Sequence, residues 1–422
     1  MKLKTRTYRN NRSSYMLWFL LFIIIFISND TLTFGTNEDS KYIIFKYVVY
    51  FLLTFFLLIK PNIKILTLKS SLYLYLIIIS IFLTSLLHLD FRGGYVYQIW
   101  IILLAFLIAK SLSIEEFSVI FNRYIFILSI ISILVFIVAN SFDWLLDYFT
   151  VHVNTAGVEF ANLYIAAVYK GVGLIRNTSI FREPGVFGIY LLLGIIFELF
   201  YSAKINKKHI FIFLIALFTT FSTAAFIILF LVIIGYLFKR DKMNFIKNKS
   251  TIIFFVAIVI VILSSYPETY LRIFSKLDSE SVSYGNLTAR VASIVVNFYI
   301  FVSNPVVGCG LSNYGDLFTT YSIQHFGIPL KASGQATNSF MSIFATYGFL
   351  YGSILICSFM GLIRKFSKNI FIQIILFLSL MMMFSNEDMR YSLLFYTLIF
   401  FGLKFTPKII QQQTQPVSQP VK

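Results

Sequence analysis

Apolar runs long enough, or nearly long enough, to cross a bilayer follow one another along the whole chain, and charge collects in the stretches between them. Their limits read as 15–28, 42–59, 71–87, 95–109, 121–139, 186–202, 209–221, 223–238, 251–265, 337–362, 370–384 and 391–403, which predicts about twelve helices. The stretch 209–238 could form one long tilted helix. Basic clusters flank both its ends, however: Lys204, Lys207 and Lys208 before it, Lys239, Arg240 and Lys242 after it. Cytoplasmic loops of membrane proteins collect lysine and arginine, so both ends fall on one side and the stretch reads as two short spans turning at 219–223, TTFST. The expected fold is all-α: a polytopic integral membrane protein, one transmembrane domain over 1–422.

Two connections exceed a tight turn by a wide margin, 140–185 and 266–336, and both fall on the outer side. Short amphipathic helices are expected in them. The first holds a moderately apolar segment, 160–169, expected at the membrane surface. In the second, Asn286, Arg290, Ser293 and Asn297 recur at helical spacing opposite Leu287, Val291, Ile294, Val295 and Phe298. This predicts a helix over 286–302, lying along the interface with Arg290 turned to the site and ending at Asn304-Pro305. Gly308-Cys309-Gly310 then reads as a flexible turn. The tail 409–422, rich in Gln and Pro, reads as disordered.

Composition agrees with this reading. At 422 residues, 58% hydrophobic and 13% charged, with a mean hydropathy of +0.83, the chain is too apolar for a soluble globule. The net charge of +17 would suggest a nucleic-acid partner in a soluble protein; here most of it sits in the inner connections and belongs to topology. Both termini are expected in the cytoplasm. The first run follows a basic segment without a small-residue cleavage site and reads as an uncleaved span. Cys309 and Cys357 indicate neither a disulfide framework nor a metal cluster, and the four histidines have no metal-like spacing, so no metal or cofactor is expected. Lys46 lies about one turn from Lys41 and is expected to snorkel to the surface.

Arginine is what stands out on the outer side. The inner face uses mainly lysine, whereas Arg92, Arg176, Arg182, Arg272, Arg290 and Arg390 stand outside, against the positive-inside bias. Guanidinium binds phosphate bidentately and stays charged, which suits a diphosphate at the membrane surface; pairing with outer carboxylates or phospholipid is the alternative. Arg182 and Glu183 occupy the centre of SIFREPGVFG, at 179–188. Pro184 there marks a first helical turn before an apolar run, so the pair stands at a helix N-terminus with its unpaired N–H groups. Arg182 is a candidate anion ligand. Glu183 either accepts a proton, orients Arg182 or caps the helix.

In SIFREPGVFG, TTFSTAAF, LTARVASIVVNFYIFVSNPVVGCGLSNYG at 287–315 and QATNSFMSIFATYGFLYG at 335–352, the chain resembles the O-antigen polymerase (Wzy type) and O-antigen ligase superfamily of bacterial membrane glycosyltransferases. The resemblance covers the second half of the chain in the family's order. It implies an enzyme of the bacterial inner membrane that works at its outer face without a nucleotide sugar. A glycan on undecaprenyl diphosphate passes to the non-reducing end of another lipid-linked repeat unit of O-antigen or a related surface polysaccharide. Donor, acceptor and membrane lipid are the partners expected, with a chain-length regulator and a flippase as further ones and no nucleic acid. Arg176, Arg182, Arg272 and Arg290 are candidates for the diphosphate, with Glu183, Arg182 and Arg290 catalytic; Asn338, Glu387, Arg390 and His325 form a second tier. Ligases of the superfamily carry a histidine near the start of the span that opens here with Ala336-Thr337-Asn338-Ser339. This chain has none there, and His325 lies upstream, which favours a polymerase over a ligase. A lipid-linked oligosaccharide flippase is the reading from another class; it would place charge inside the bundle rather than in outer loops.

Overall fold

The computed structural model describes residues 11–35, 40–59, 68–153, 159–171, 174–240, 282–332 and 336–403. Six helices open the chain: α1 (Asn11–Phe26), the single turn α2 (Leu32–Gly35), α3 (Ser40–Ile59), α4 (Leu68–Leu87), α5 (Gly93–Ser111) and α6 (Ile114–Ser141). Four strands follow, β1 (Thr150–Val153), β2 (Glu159–Asn162), β3 (Ala167–Gly171) and β4 (Leu174–Ser179). Eight helices complete the described chain: α7 (Pro184–Ile196), α8 (Lys207–Thr219), α9 (Thr223–Arg240), α10 (Val282–Ser303), α11 (Gly310–Phe326), α12 (Ser339–Phe366), α13 (Ile370–Asn386) and α14 (Leu393–Leu403). Every apolar run read from the sequence lies on a helix except 251–265, which is outside the described residues, as are Arg272 and the tail. Among the described residues, five helices are able by length and composition to cross a membrane: Lys41–Ile59, Gly93–Ser111, Ile114–Ser141, Pro184–Tyr201 and Ser339–Phe366. The other apolar helices among the described residues are shorter, at 10–17 residues, so the described helices do not by themselves establish the count of about twelve spans.

Burial sorts the helices. Every residue of α7 is buried, and α14 is buried apart from Gly402. These two form the centre of the bundle; α14 packs on α5 and α12, and α7 on α8 and α9. At the edge, α3 leaves Phe45, Val48, Phe51, Leu52, Phe55 and Phe56 exposed, the apolar surface that lipid would cover. Close approaches need glycine: a Cβ on Gly402 would overlap the Ser358 carbonyl, and one on Gly361 that of Gly402.

The first long connection departs from the all-α expectation. It folds into an antiparallel meander, β1-β2-β3-β4, in which Phe160 faces Tyr169 and Tyr169 faces Arg176. The segment 160–169 thus belongs to strands and their turn. Cover on both faces explains this: Phe160 and Ala167 pack with Leu32 on one side, Ala161 and Val168 pack on the end of α6 on the other, and the strand ladder satisfies the backbone without a helix.

In the second connection α10 forms as the pattern predicts, but its polar stripe is the packed face. Ser293 and Asn297 are buried, whereas Val291, Ile294, Phe298 and Val302 are exposed. Asn297 accepts from the Tyr314 hydroxyl at 2.9 Å, and that hydroxyl also meets Ser342 Oγ at 2.9 Å. Gly308-Cys309-Gly310 is held on several sides rather than flexible. The N–H of Cys309 donates to Ala345 (2.9 Å) and that of Phe349 to Pro305 (2.8 Å), across a kink of α12 at Gly348, where φ is +79°. Gly308 is also left-handed, and a Cβ there would overlap Thr346. After this crossing α11 begins, a helix the hydropathy pattern did not predict; the Asp90 carboxylate accepts its Ser312 N–H at 2.8 Å.

Candidate functional site

Arg182 and Glu183 stand where β4 hands over to α7. The connecting residues run beside the turn after α1: Leu32 N–H donates to Ile180 at 2.9 Å, and Arg182 N–H to the Asp30 carbonyl at 3.0 Å. Two stretches distant in sequence are thereby fixed to each other. Pro184 opens α7 and Glu183 is its N-cap, with extended backbone and no side-chain capping bond. The helix-capping role weighed for Glu183 is therefore not the one it takes.

On one side of Arg182 lies a cavity of about 220 Å³, lined by Asn29, Asp30, Tyr97, Asp388, Tyr391 and Ser392 together with Gly35 and Gly94. Asp30 is buried; its Oδ2 accepts from Tyr190 at 2.7 Å and from Ser392 at 2.6 Å. Burial raises the Asp30 pKa, while the Ser392 bond and the Arg182 charge hold it down in part. Arg182 donates through Nη2 to the Asp388 carbonyl, and its Nε is buried without a partner among the described residues. Asn29 ties the wall together, donating to the Tyr97 hydroxyl (2.8 Å) and the Tyr391 carbonyl (2.7 Å). Its Oδ1 accepts from Lys46 at 2.6 Å, and Lys46 also donates to the Phe34 carbonyl. Lys46 is buried in this contact and does not snorkel.

Glu183, Glu387, Arg290 and Arg176 surround the other side. Glu387 follows α13 directly and is fully packed: Gly185 leaves it room, and the Ser339 hydroxyl donates to its carbonyl at 2.7 Å. Burial raises its pKa, and the facing, hydrogen-bonded carboxyl of Glu183 adds to the shift against the pull of Arg290 and Arg182. Arg290 lies 3.8 Å from Glu387 Oε1 and also donates to Asn386. Arg176 crosses from β4 to the 219–223 turn, donating from Nε to the Thr220 carbonyl at 2.9 Å and lying over the Tyr169 ring. Its charge is felt at this cluster, although these donors are engaged by the turn.

The second-tier residues separate. Arg390 holds Asp388 with two bonds, at 2.9 and 2.8 Å, and lies over the Tyr314 ring; this ion pair overrides the effect of burial and keeps the Asp388 pKa low. Asn338 is the N-cap of α12, accepting from Met341 N–H at 2.8 Å. His325 is exposed and stacks on Tyr299, with ring centroids 3.8 Å apart. Tyr299 lies nine residues along α10 from Arg290, roughly 13 Å at helical rise, so His325 is outside the arginine cluster. Arg92 pairs with Asp90 at 3.4 Å and is exposed. Among the described residues, no group of His, Cys and carboxylate side chains converges as a metal site would need.

The arginines expected to gather do so for Arg176, Arg182 and Arg290, but they meet carboxylates that the pattern did not bring to them. Asp30 is the main residue missed. Its signal was Ser28-Asn29-Asp30 directly after an apolar run, polar groups at the mouth of a span.

Residues 209–356 match a family model described as O-Antigen ligase. The family resemblance read from the sequence is thus supported from α8 into α12, and the segment is consistent with the O-antigen polymerase and ligase superfamily. Members of the O-antigen ligase family are glycosyltransferase-like enzymes of glycan ligation; the match does not separate polymerase from ligase. No curated protein matches the chain. The matched segment contains Arg290, Asn338 and His325, whereas Asp30, Arg182, Glu183 and Glu387 lie outside it, on its two flanks.

Proposed function

We propose that the protein polymerises lipid-linked oligosaccharide repeat units at the outer face of the bacterial inner membrane, with both termini in the cytoplasm. The donor glycan rides on undecaprenyl diphosphate. A hydroxyl at the non-reducing end of a second lipid-linked unit attacks the donor's anomeric carbon, the bond from that carbon to the phosphate oxygen breaks, and its electron pair leaves with undecaprenyl diphosphate. The hydroxyl proton goes to Glu183. Arg182 and Arg290 stabilise the charge that develops on the diphosphate, and Arg176 strengthens the local field; Arg272, outside the described residues, is the fourth candidate for the diphosphate. One observation carries the reading: Arg182, at the N-terminus of a buried helix, and Arg290 both act on the Glu387–Glu183 carboxyl pair, which joins anion stabilisers to a candidate base.

The position of His325 supports polymerase over ligase, since this histidine stacks on Tyr299 away from the arginines. The test is purified protein in detergent with lipid-linked repeat units and no nucleotide, products followed on a gel. A ladder of lengthening glycans that disappears in Arg182→Ala is the expected result. Movement of the lipid-linked unit across vesicles with no new glycosidic bond would instead make the protein a transporter.

A further inference from the structure

The cavity beside Arg182 has a chemistry that a diphosphate site would not choose. Asp30, Asp388 and Arg182 line it; Arg390 already pairs with Asp388, which leaves the Asp30 carboxylate, and a carboxylate repels phosphate. Asp30 Oδ2 is taken by Tyr190 and Ser392, while Oδ1 accepts no hydrogen bond among the described residues. Tyr97 and Tyr391 form a stacked pair in its wall, with centroids 5.9 Å apart, and Asn29 fixes both. Aromatic faces next to a carboxylate and an amide suit a ring that is apolar on its C–H faces and rimmed by hydroxyls. At about 220 Å³ the space is below the roughly 300–1,000 Å³ of drug-sized sites, so it holds one ring rather than an oligosaccharide.

We propose that this cavity is a subsite for a single sugar ring of the glycan, with Asp30 accepting one of its hydroxyls and Arg182 dividing it from the diphosphate side. The assignment rests on the proposed glycan transfer for its role, but the binding it requires does not depend on turnover. Arg182 then touches both compartments: its backbone is tied to Asp30 and its charge faces Glu183 and Glu387. Seating the ring next to Arg182 would bring a hydroxyl-bearing acceptor against the departing diphosphate.

The test uses full-length protein in detergent and two probes: the free repeat-unit oligosaccharide, released from its lipid by mild acid, and inorganic diphosphate. Binding of each is measured calorimetrically for wild type, Asp30→Asn and Tyr391→Leu. Asp30→Asn should weaken oligosaccharide binding about tenfold or more, the loss expected for one charge-assisted hydrogen bond, and leave diphosphate binding equal or tighter because a negative charge is gone. Tyr391→Leu should weaken the oligosaccharide alone. Oligosaccharide binding unchanged in both variants, or diphosphate binding lost in Asp30→Asn, would overturn the subsite. With lipid-linked units the same variants should raise KM for the acceptor more than they lower kcat, a split that mere loss of packing does not produce. If wild type binds the oligosaccharide through Asp30 yet forms no glycosidic bond, the polymerase reading falls and the subsite stands.

Discussion

Glu387 occupies the space that the absent side chain of Gly185 leaves, and a Cβ built on that glycine would overlap its Oε1. Close approach, rather than backbone conformation, favours glycine here, since a Cβ would force the buried Glu387 carboxyl to move. Gly185→Ala should therefore lower stability by about 1–3 kcal/mol, as overpacking does, and reduce glycan transfer by shifting Glu387 against Glu183. In Glu387→Ala the obstruction is gone, so the second substitution should add little. Unfolding in detergent of the single and double variants measures this coupling; additive effects would mean that the two residues are not in contact.

The same glutamate sets a pH dependence. Burial, together with the Glu183 carboxyl, raises the Glu387 pKa above that of an unfolded chain. The protonated contact therefore contributes stability that is fully present below the ordinary carboxylate range and is lost as pH rises through the raised value. Glu387→Gln keeps the shape and removes the titration. Its melting temperature should match wild type at acid pH and exceed it increasingly on the alkaline side. A gap between the two that does not change with pH would remove Glu387 from this account.

Arginines in the cluster should divide into two classes. Arg182→Ala and Arg290→Ala are each expected to abolish polymer formation while protein abundance in the membrane stays unchanged. Arg390→Ala, by contrast, leaves Asp388 without its bidentate partner and Tyr314 without its cation, and breaking a largely buried pair costs about 3 kcal/mol. Its defect should appear first in thermal stability and abundance. Gel assays beside melting curves for the three variants decide this.

Much of this architecture was legible in the chain. Hydrophobic runs placed the helices, the Pro184 signal placed the start of α7, and basic clusters placed the turn between α8 and α9. The sheet was not, because strands of four to six residues carry no period strong enough to distinguish them from an interfacial helix. The stripe of α10 was read as lying along the interface with Arg290 turned to the site; Ser293 and Asn297 on that stripe pack inside the bundle instead, because in lipid an amphipathic helix buries its polar face. Asp30 stood in sequence as an ordinary loop carboxylate, and Glu387 as a second-tier candidate near Arg390. Only the backbone pairing of the α1 turn with residues 180–182 brings Asp30 to Arg182.

His325 offers a discriminating control. It is exposed and engaged with Tyr299 and Tyr321 rather than with the arginines. His325→Ala should keep polymer formation within about twofold of wild type, the range of ordinary surface substitutions. Loss of all transfer, with the protein still folded, would bring that histidine into the chemistry and revive the ligase reading.

Glu183 is the sharpest question left for the reaction. Its backbone caps α7 but its carboxyl does not, and that carboxyl meets Glu387 instead. As a base it would take the acceptor's proton, whereas as an orienting group it would only hold Arg182. Glu183→Gln preserves the shape and hydrogen bonding and removes the basicity. If the carboxylate is the base, polymer formation should fall by about 10²–10⁴-fold, the usual contribution of general acid–base catalysis, with acceptor KM little changed. If it only orients Arg182, the loss should be modest, and Glu183→Ala should be markedly worse than Glu183→Gln. Initial rates of glycan extension for the two variants, measured at saturating acceptor, separate the two roles.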